Sequence, residues 1–272
     1  MTTITGLTDP GNRPGENQDS VGWDEARGLA LVADGLGGHA GGQVASRIVK
    51  DTVLHFADTL GLPGALQRAH SSILEAAKQG EEVHGMASTI VAVQIKRSKA
   101  SVIWAGDSRA YLWRGGELTR LTRDHSIVEE LRVTGGLSET QVRMHPLRNE
   151  VTNVLGAGEP EPDTVQVVLR PGDWIMLCSD GLSGELRDGE IAQLLAAATP
   201  VGAAKALVDA VLQKGGRDNV SVVVVAYDGS GNHRILSRIS EGAITWLAVL
   251  GGIALALLIA GATVWIRRRQ QG

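Results

Sequence analysis

The sequence lacks several features that would point to common classes of protein. Its 272 residues contain one cysteine, Cys178, which excludes an internal disulfide and fits a reducing compartment. Basic residues do not exceed acidic ones, and the formal net charge of −4 disfavours a general nucleic-acid binder, which normally carries a basic surface. The first residues lack the basic start and long apolar core of a signal peptide, so we expect no export.

Several catalytic motifs are missing as well. No Gly-Lys pair occurs, which excludes a Walker phosphate-binding loop. The chain also lacks the paired histidines that a zinc-hydrolase helix needs. Cys178 leads into Ser-Asp-Gly-Leu-Ser-Gly without an arginine at the end of that loop. A cysteine-dependent phosphatase needs such an arginine beside its thiolate, so this class is also disfavoured.

Four aspartates stand where apolar runs begin or end, and two of them share the pattern Asp-Gly-Leu-x-Gly. They are Asp34 after residues 29–33, Asp107 after 102–106, Asp180 after 174–179, and Asp218 before 220–226. If these runs are neighbouring strands, the carboxylates converge and repel one another unless protons or cations neutralise them. Oxygen ligands suit Mg²⁺ or Mn²⁺ rather than zinc. The alternative is that each Asp-Gly marks a turn and nothing more.

Hydrophobic periodicity predicts an α+β protein. Helical spacing of apolar residues predicts two helices, 39–60 and 63–79, which form a hairpin on a sheet, and a third helix over 201–214. Strands are expected at 21–23, 29–33, 86–95, 100–105, 109–114 and 117–121, and another antiparallel set at 165–178 and 219–227. Adjacent short strands indicate antiparallel pairing, and the elements suffice for two sheets and two helical layers.

The polar residues of the chain form an ordered series of motifs. They are Arg13…Asn17-Gln-Asp19-Ser, Asp34-Gly-Leu-Gly-Gly-His39-Ala-Gly-Gly, Gly106-Asp-Ser-Arg109, Asp124-His-Ser126, His145-Pro-Leu-Arg-Asn149, Ser179-Asp-Gly-Leu182 and Asp218-Asn-Val-Ser221. Over about residues 3–228, this series resembles the metal-dependent serine/threonine protein phosphatases of type 2C (the PPM family) in their bacterial form. The resemblance implies a four-layer α-β-β-α sandwich of two antiparallel sheets flanked by helices.

The resemblance also implies roles for individual residues. Two Mn²⁺ or Mg²⁺ ions are expected, and Asp34 would bridge both of them. The Gly35 carbonyl would bind one ion, and Asp180 and Asp218 would bind the other, with Asp19 on or near the second ion. Arg13 would bind the substrate phosphate. Asp107 would hold a third, weaker ion with the help of Asp180. The alternative for Asp107 is an ion pair with Arg109.

The reaction implied is hydrolysis of phosphoserine and phosphothreonine in intracellular proteins, in opposition to protein kinases. A water molecule between two cations becomes a hydroxide and attacks phosphorus in line. Some relatives place a histidine as general acid directly after Asp-Gly, where this chain has Leu36. A metal-bound water is preferred to His39 as the proton donor, and we assign no side chain as general acid. Two alternatives stay open: a non-catalytic scaffold that binds phosphoproteins, and a two-metal phosphodiesterase. Phosphoproteins, including protein kinases, are the expected partners, and nucleic acid is not.

Residues 122–158, called the flap here after the corresponding segment of the family, are polar and interrupted. Ser126 and Ser138 are expected to cap helices that run through Leu131 and Arg143. His125 and His145 are expected to hold the backbone of the flap rather than to take part in catalysis.

The C-terminal residues differ from the rest of the chain. Residues 1–228 are interpreted as the phosphatase domain and 229–242 as a flexible linker. Residues 243–266 carry no charge over more than the ~20 residues that span a bilayer, which predicts a transmembrane helix followed by a short basic tail, 267–272. We therefore expect a single-pass protein of the cell membrane whose catalytic domain faces the cytoplasm.

Overall fold

The computed structural model describes residues 2–12, 15–37, 40–80 and 85–229. The described elements belong to one compact unit, Met1–Gly229. Arg13, His39, most of the predicted linker, the predicted transmembrane helix 243–266 and the basic tail lie outside the described residues. Within the described ranges, no helix has the length and apolar character needed to cross a membrane.

The described residues form eleven strands, six α-helices and one short 3-10 helix, Glu25–Arg27. The strands are β1 (Thr2–Asp9), β2 (Asp19–Asp24), β3 (Leu29–Leu36), β4 (Ala87–Ser88), β5 (Ile90–Lys96), β6 (Lys99–Ala105), β7 (Arg109–Arg114), β8 (Glu117–Arg120), β9 (Asp163–Val168), β10 (Trp174–Cys178) and β11 (Val220–Tyr227). The helices are α1 (Ala40–Gln79), α2 (Ile127–Val133), α3 (Glu139–Met144), α4 (Asp180–Glu185), α5 (Asp188–Ala197) and α6 (Pro200–Gln213).

The strands form two antiparallel sheets, as predicted. One sheet has the order β1-β11-β10-β7-β8, and the other has the order β2-β3-β5-β6-β9 with the short β4 paired to β3. The first and last strands of the described chain are neighbours, since Thr2 pairs with Tyr227 and Asp9 with Val220. The α+β class is therefore confirmed.

Alternation along β3 shows how the layers are held together. Leu29, Leu31 and Ala33 pack with residues of α1, whereas Ala30 and Val32 pack into the core between the two sheets. All five side chains are fully buried. A strand with apolar residues on both faces belongs in the middle of a layered structure, because each face needs its own cover.

Strand β11 plays the same part in the other sheet. Val223 and Val225 face the core between the sheets, while Val222 and Val224 pack against Leu207 and other residues of α4 to α6. Helix, sheet, sheet and helix therefore follow one another as four layers.

Helix α1 is interrupted at Gly61. This glycine has φ 70° and ψ 168°, which ends the first helical half, and Pro63 begins the second. Both halves contribute to one core cluster against the sheet, for example through Val53 and Leu66. The two predicted helices are thus present on either side of a glycine break.

Three parts of the prediction were wrong. The expected strand 86–95 is split at Thr89, whose backbone N–H donates to the carbonyl of Asp34 instead of continuing one ladder. Residues 165–178 were expected to form one antiparallel set with 219–227, but they form two strands in different sheets, because the chain turns at 170–173 and crosses from β9 to β10. Helix α5 was not predicted; the side chain of Glu190 accepts from the backbone N–H of Arg187 and caps it.

Candidate metal centre

The pairing of β2 with β3 places Asp19 directly opposite Asp34. Side chains at facing positions of an antiparallel pair lie about 5 Å apart, and like charges there repel. Strand β3 is held in place because its apolar residues, 29–33, are buried on both faces. Two carboxylates are thus forced together by the register of the sheet.

The backbone of Asp34 is fixed by the buried residues Ser88 and Thr89. The Asp34 N–H donates to Thr89 Oγ1 at 3.1 Å, and the Asp34 carbonyl accepts from the Thr89 N–H at 2.8 Å and from Ser88 Oγ at 3.0 Å. Thr89 Oγ1 also lies 2.9 Å from Ser108 Oγ. These contacts leave Asp34 little freedom to turn away from the cluster.

Asp180 and Asp218 approach each other at the ends of β10 and β11. The Ser179 N–H donates to the Ser221 carbonyl at 3.1 Å, and Ser221 N–H donates to Ser179 Oγ at 3.0 Å. Gly181 packs its backbone against Asn219 so tightly that an added Cβ would lie 1.9 Å from the Asn219 carbonyl oxygen. Glycine is required at this position.

Gly35 also allows a close approach of two backbones. A Cβ at this residue would lie 2.0 Å from the Gly42 carbonyl oxygen and 2.7 Å from that of Gln18. The start of α1 and the entry to β2 therefore pack directly against the residue after Asp34.

Asp19 connects the two sheets. Its Oδ2 accepts a hydrogen bond from Ser179 Oγ at 2.8 Å, while its buried Oδ1 has no hydrogen-bond partner among the described residues. A buried carboxylate oxygen without a donor is costly, and it is the kind of group that a cation satisfies.

The carboxylates perturb one another strongly. Burial, followed by the nearby charges of Asp180 and Asp218, raises the pKa of Asp19 to about 7, although hydrogen bonds from Ser221 and Ser179 act in the opposite direction. Burial is also the first cause that raises the pKa of Asp34 well above its ordinary value, and the charge of Asp19 is the second.

The same two causes act on the other members of the cluster. Burial and then the charge of Asp218 raise the pKa of Asp180, and burial and then the charge of Asp180 raise that of Asp107 well above the ordinary value. The structure thus brings together Asp19, Asp34, Asp107, Asp180 and Asp218.

This cluster fits divalent cations. All its side-chain donors are oxygens, which suits Mg²⁺ or Mn²⁺, and Asp34 and Asp180 keep partial exposure through which water can enter. Across the described ranges, no three acidic, histidine or cysteine side chains already have the arrangement of metal ligands. The side chains of Asp34 and Asp180 lie within hydrogen-bonding reach of each other.

Asp107 does not pair with Arg109. The Arg109 guanidinium makes a bidentate contact with Asp124, with Nη2 to Oδ2 at 2.7 Å and Nε to Oδ1 at 3.0 Å. Arg120 binds the same carboxylate. The alternative of an Asp107–Arg109 pair was therefore wrong, and Asp107 is left to the cluster.

The flap matches most of what the sequence predicts. Ser126 Oγ accepts from the Glu129 N–H at the start of α2, and Ser138 forms a capping box with Gln141 at the start of α3. His145 Nδ1 accepts from the Leu147 N–H at 3.1 Å, so it holds flap backbone as predicted.

His125 connects the flap to the end of β6. Its backbone N–H donates to the Gly106 carbonyl, and its Nδ1 accepts from the Gly106 N–H at 3.3 Å. Its Nδ1 also lies 3.0 Å from Asn153 Nδ2, a flap side chain. The expectation that His125 holds flap backbone was wrong in this respect, because the backbone that its side chain binds is that of Gly106 at the end of β6.

This chain matches the sequence model of a known protein family. A sequence model of the family described as protein phosphatase 2C matches residues 13–214. The chain belongs to the protein phosphatase 2C family. The resemblance given by the motifs is therefore confirmed.

Several relatives are bacterial serine/threonine phosphatases. PstP of Mycobacterium tuberculosis is 36% identical over 236 residues, which are 83% of this chain and 46% of that protein. The phosphatase Stp of Listeria monocytogenes is 33% identical over 237 residues, 81% of this chain and 94% of that one. This chain thus spans about half the length of the mycobacterial relative.

Solved structures agree with the fold. A crystal structure of M. tuberculosis PstP has 32% identity and a TM-score of 0.79, and covers 84% of this chain and 99% of its own. The catalytic domain of PstP in complex with two manganese ions has 31% identity and a TM-score of 0.76, and covers 83% of this chain and 97% of its own.

Proposed function

We propose that this member of the protein phosphatase 2C family hydrolyses phosphoserine and phosphothreonine in proteins, and that it requires Mn²⁺ or Mg²⁺. The observation that carries the proposal is the cluster of five aspartates, in which the buried Asp19 Oδ1 has no donor among the described residues. The PstP catalytic domain with two manganese ions supports the choice of metal.

The roles proposed for the members of the cluster are those that the family resemblance implies. Asp34 would bridge two ions, with the Gly35 carbonyl on one, Asp180 and Asp218 on the other, and Asp19 beside the second. Asp107 would hold a third ion with Asp180. When bound, such cations supply positive charge that lowers the pKa of water and polarises the phosphate ester.

The protein's contribution is to hold acidic groups where repulsion would otherwise separate them. Ser88 and Thr89 fix the Asp34 backbone, and Ser179 fixes one oxygen of Asp19. Preorganisation of this kind matters because the charges need not reorganise when the phosphoryl group reacts. Arg13, which lies outside the described residues, is proposed to bind phosphate oxygens through its planar fork.

A covalent cysteine mechanism is disfavoured by the state of Cys178. The side chain is fully buried, and burial first among several causes raises the pKa of the thiol to about 12. A thiol with this pKa is not a nucleophile at neutral pH. No histidine among the described residues lines the cleft beside the cluster, so we assign no side chain as general acid.

The test compares a phosphothreonine peptide, a phosphotyrosine peptide and a phosphodiester, each with Mn²⁺ and with excess chelator. We expect metal-dependent release of phosphate from phosphothreonine, and a loss of several orders of magnitude in turnover for Asp34→Asn. Asp209→Asn is the matched control, because Asp209 forms an exposed pair with Lys205 outside the cluster. Full activity in chelator would refute the proposal. Preferential cleavage of the diester would favour a phosphodiesterase, and binding without cleavage would favour a scaffold.

We also propose that residues 243–266 anchor the protein in the cell membrane, with the catalytic domain in the cytoplasm. The support is the sequence alone: an uncharged apolar run, Trp246 and Trp265 near its ends, and Arg267-Arg-Arg269 after it. Intracellular phosphoproteins, protein kinases among them, would then be the substrates. Protease added to intact spheroplasts should leave the catalytic domain whole. Digestion there would refute the orientation, and a wholly soluble full-length chain would refute the anchor.

A further inference from the structure

A cleft of about 540 Å³ opens beside the aspartate cluster. Its lining includes Asp107 and Asp180 together with flap residues from α2, α3 and the turn that follows α3. The cleft therefore extends from the candidate metal centre along a surface where the chain flanking a phosphorylated residue would lie.

Five arginines line this cleft, and three of them form salt bridges with carboxylates of the protein. Arg109 and Arg120 share Asp124. Arg132 binds both oxygens of Glu129, through Nη2 at 2.7 Å and Nε at 2.8 Å. The guanidinium groups of these three arginines are thus engaged by carboxylates of the protein.

The other two, Arg143 and Arg148, form no salt bridge with any carboxylate of the described residues, and they are called the arginine pair below. Arg143 donates through Nη1 to the Gly184 carbonyl at 3.2 Å and through Nη2 to the Leu186 carbonyl at 3.4 Å. A guanidinium has five N–H donors, so Arg143 is held in place and still has donors to offer. Arg148 is exposed at the same cleft.

The remaining carboxylates of the lining do not neutralise the arginine pair. Asp107 and Asp180 belong to the aspartate cluster, and Asp188 accepts a hydrogen bond from the Tyr111 hydroxyl at 3.1 Å. The flap side of the cleft thus presents two guanidinium groups that no carboxylate of the described residues binds, and an arginine fork matches the two oxygens of a carboxylate.

We propose that the arginine pair selects phosphorylated peptides with an acidic side chain about three residues from the phosphorylated residue, an inference that rests on the proposed function. The spacing of about three residues follows from the size of the cleft. A volume of 540 Å³ corresponds to a sphere roughly 10 Å across, which an extended peptide spans in about three residues.

The experiment uses the full chain with Mn²⁺ and phosphothreonine peptides that carry Glu, Ala or Lys three residues away, on either side. We expect about fivefold higher kcat/KM for Glu than for Ala, expressed mainly in KM, because an exposed ion pair contributes at most roughly fivefold. Arg148→Gln should reduce the difference, because Arg143 remains, and Arg148→Glu should abolish it, because the new carboxylate offsets the charge of Arg143. Arg68→Gln should retain it, since Arg68 is an exposed arginine outside the cleft.

Binding of the same peptides with a non-hydrolysable phosphonate, measured by fluorescence anisotropy, gives a readout independent of turnover. The same order of affinities and the same response to the Arg148 variants are expected. Equal binding of all three peptides by the wild type, or a preference that survives both Arg148 variants, would overturn the inference. Equal hydrolysis of all three would leave the proposed function intact, whereas selective binding without hydrolysis would overturn that function alone.

Discussion

Replacing Gly181 by alanine tests whether backbone contact between α4 and β11 positions the aspartates. The new Cβ would lie 1.9 Å from the Asn219 carbonyl oxygen, and ordinary contact begins at about 3.4 Å, so the two segments must separate by roughly 1.5 Å. Gly181 follows Asp180 and Asn219 follows Asp218, so this movement changes the distance between two candidate ligands.

The expected magnitude follows from that displacement. A misplacement of about 1 Å in a reacting centre costs roughly 10²-fold in rate, and overpacking costs about 1–3 kcal/mol of folding free energy. We therefore expect Gly181→Ala to lower kcat/KM with Mn²⁺ by at least about 100-fold and to weaken Mn²⁺ binding measured by calorimetry.

Gly189→Ala is the matched control. Gly189 is also the second residue of a helix and follows an aspartate, but an added Cβ there meets no atom within 4 Å. The substitution should leave activity unchanged and stabilise the protein by about 0.4–1 kcal/mol. If Gly181→Ala kept wild-type Mn²⁺ affinity and kcat/KM, the contact with Asn219 would not be what positions the two aspartates.

Three further predictions concern single side chains. Thr89→Val should cost about 1–3 kcal/mol in the free energy of unfolding and lower kcat, because the Asp34 N–H loses its acceptor; chemical denaturation and initial rates measure both. Burial alone would raise the pKa of Asp173, but hydrogen bonds, chiefly from Arg114, outweigh it and lower the pKa. The Asp173 carboxylate therefore stabilises the folded protein at pH values above the pKa that it has in the unfolded chain. This stabilisation is lost as the pH falls through the pKa that it has in the folded protein, so Asp173→Asn should flatten the acid side of a plot of Tm against pH. Cys178 should resist iodoacetamide in the native protein and react only as fast as the structure opens, as mass spectrometry would show. A wild-type slope for Asp173→Asn, or rapid labelling of Cys178, would contradict the corresponding argument.

The candidate ligands were found from sequence because they follow a simple rule. Asp34, Asp107, Asp180 and Asp218 each border an apolar run, and buried strands carry their ends to a common edge. The exact ends of helices and strands were harder to predict. Helix α4 begins at Asp180, where the glycines indicated only a turn.

The groups that hold the ligands were not predicted. Ser88, Thr89 and Ser179 act through hydrogen bonds to residues 54, 55 and 160 positions away, and no local pattern reports such contacts. One signal was available. Ser88-Thr89 is a polar pair inside an otherwise apolar run, and buried polar residues need partners. The close packing of Gly181 on Asn219 likewise depends on three-dimensional placement that composition does not encode.

The pairing of β1 with β11 has a consequence for synthesis on the ribosome. The N-terminal strand must wait for residues 220–227 before its sheet edge is complete, and Asp218, the last of the five aspartates, emerges only just before them. Contacts between distant parts of a chain are slow to form, because a large loop must close first. A nascent chain would therefore stay inactive until nearly all of its first 229 residues had left the exit tunnel. A premature stop before Asp218 should give no residual activity, rather than a partially active fragment.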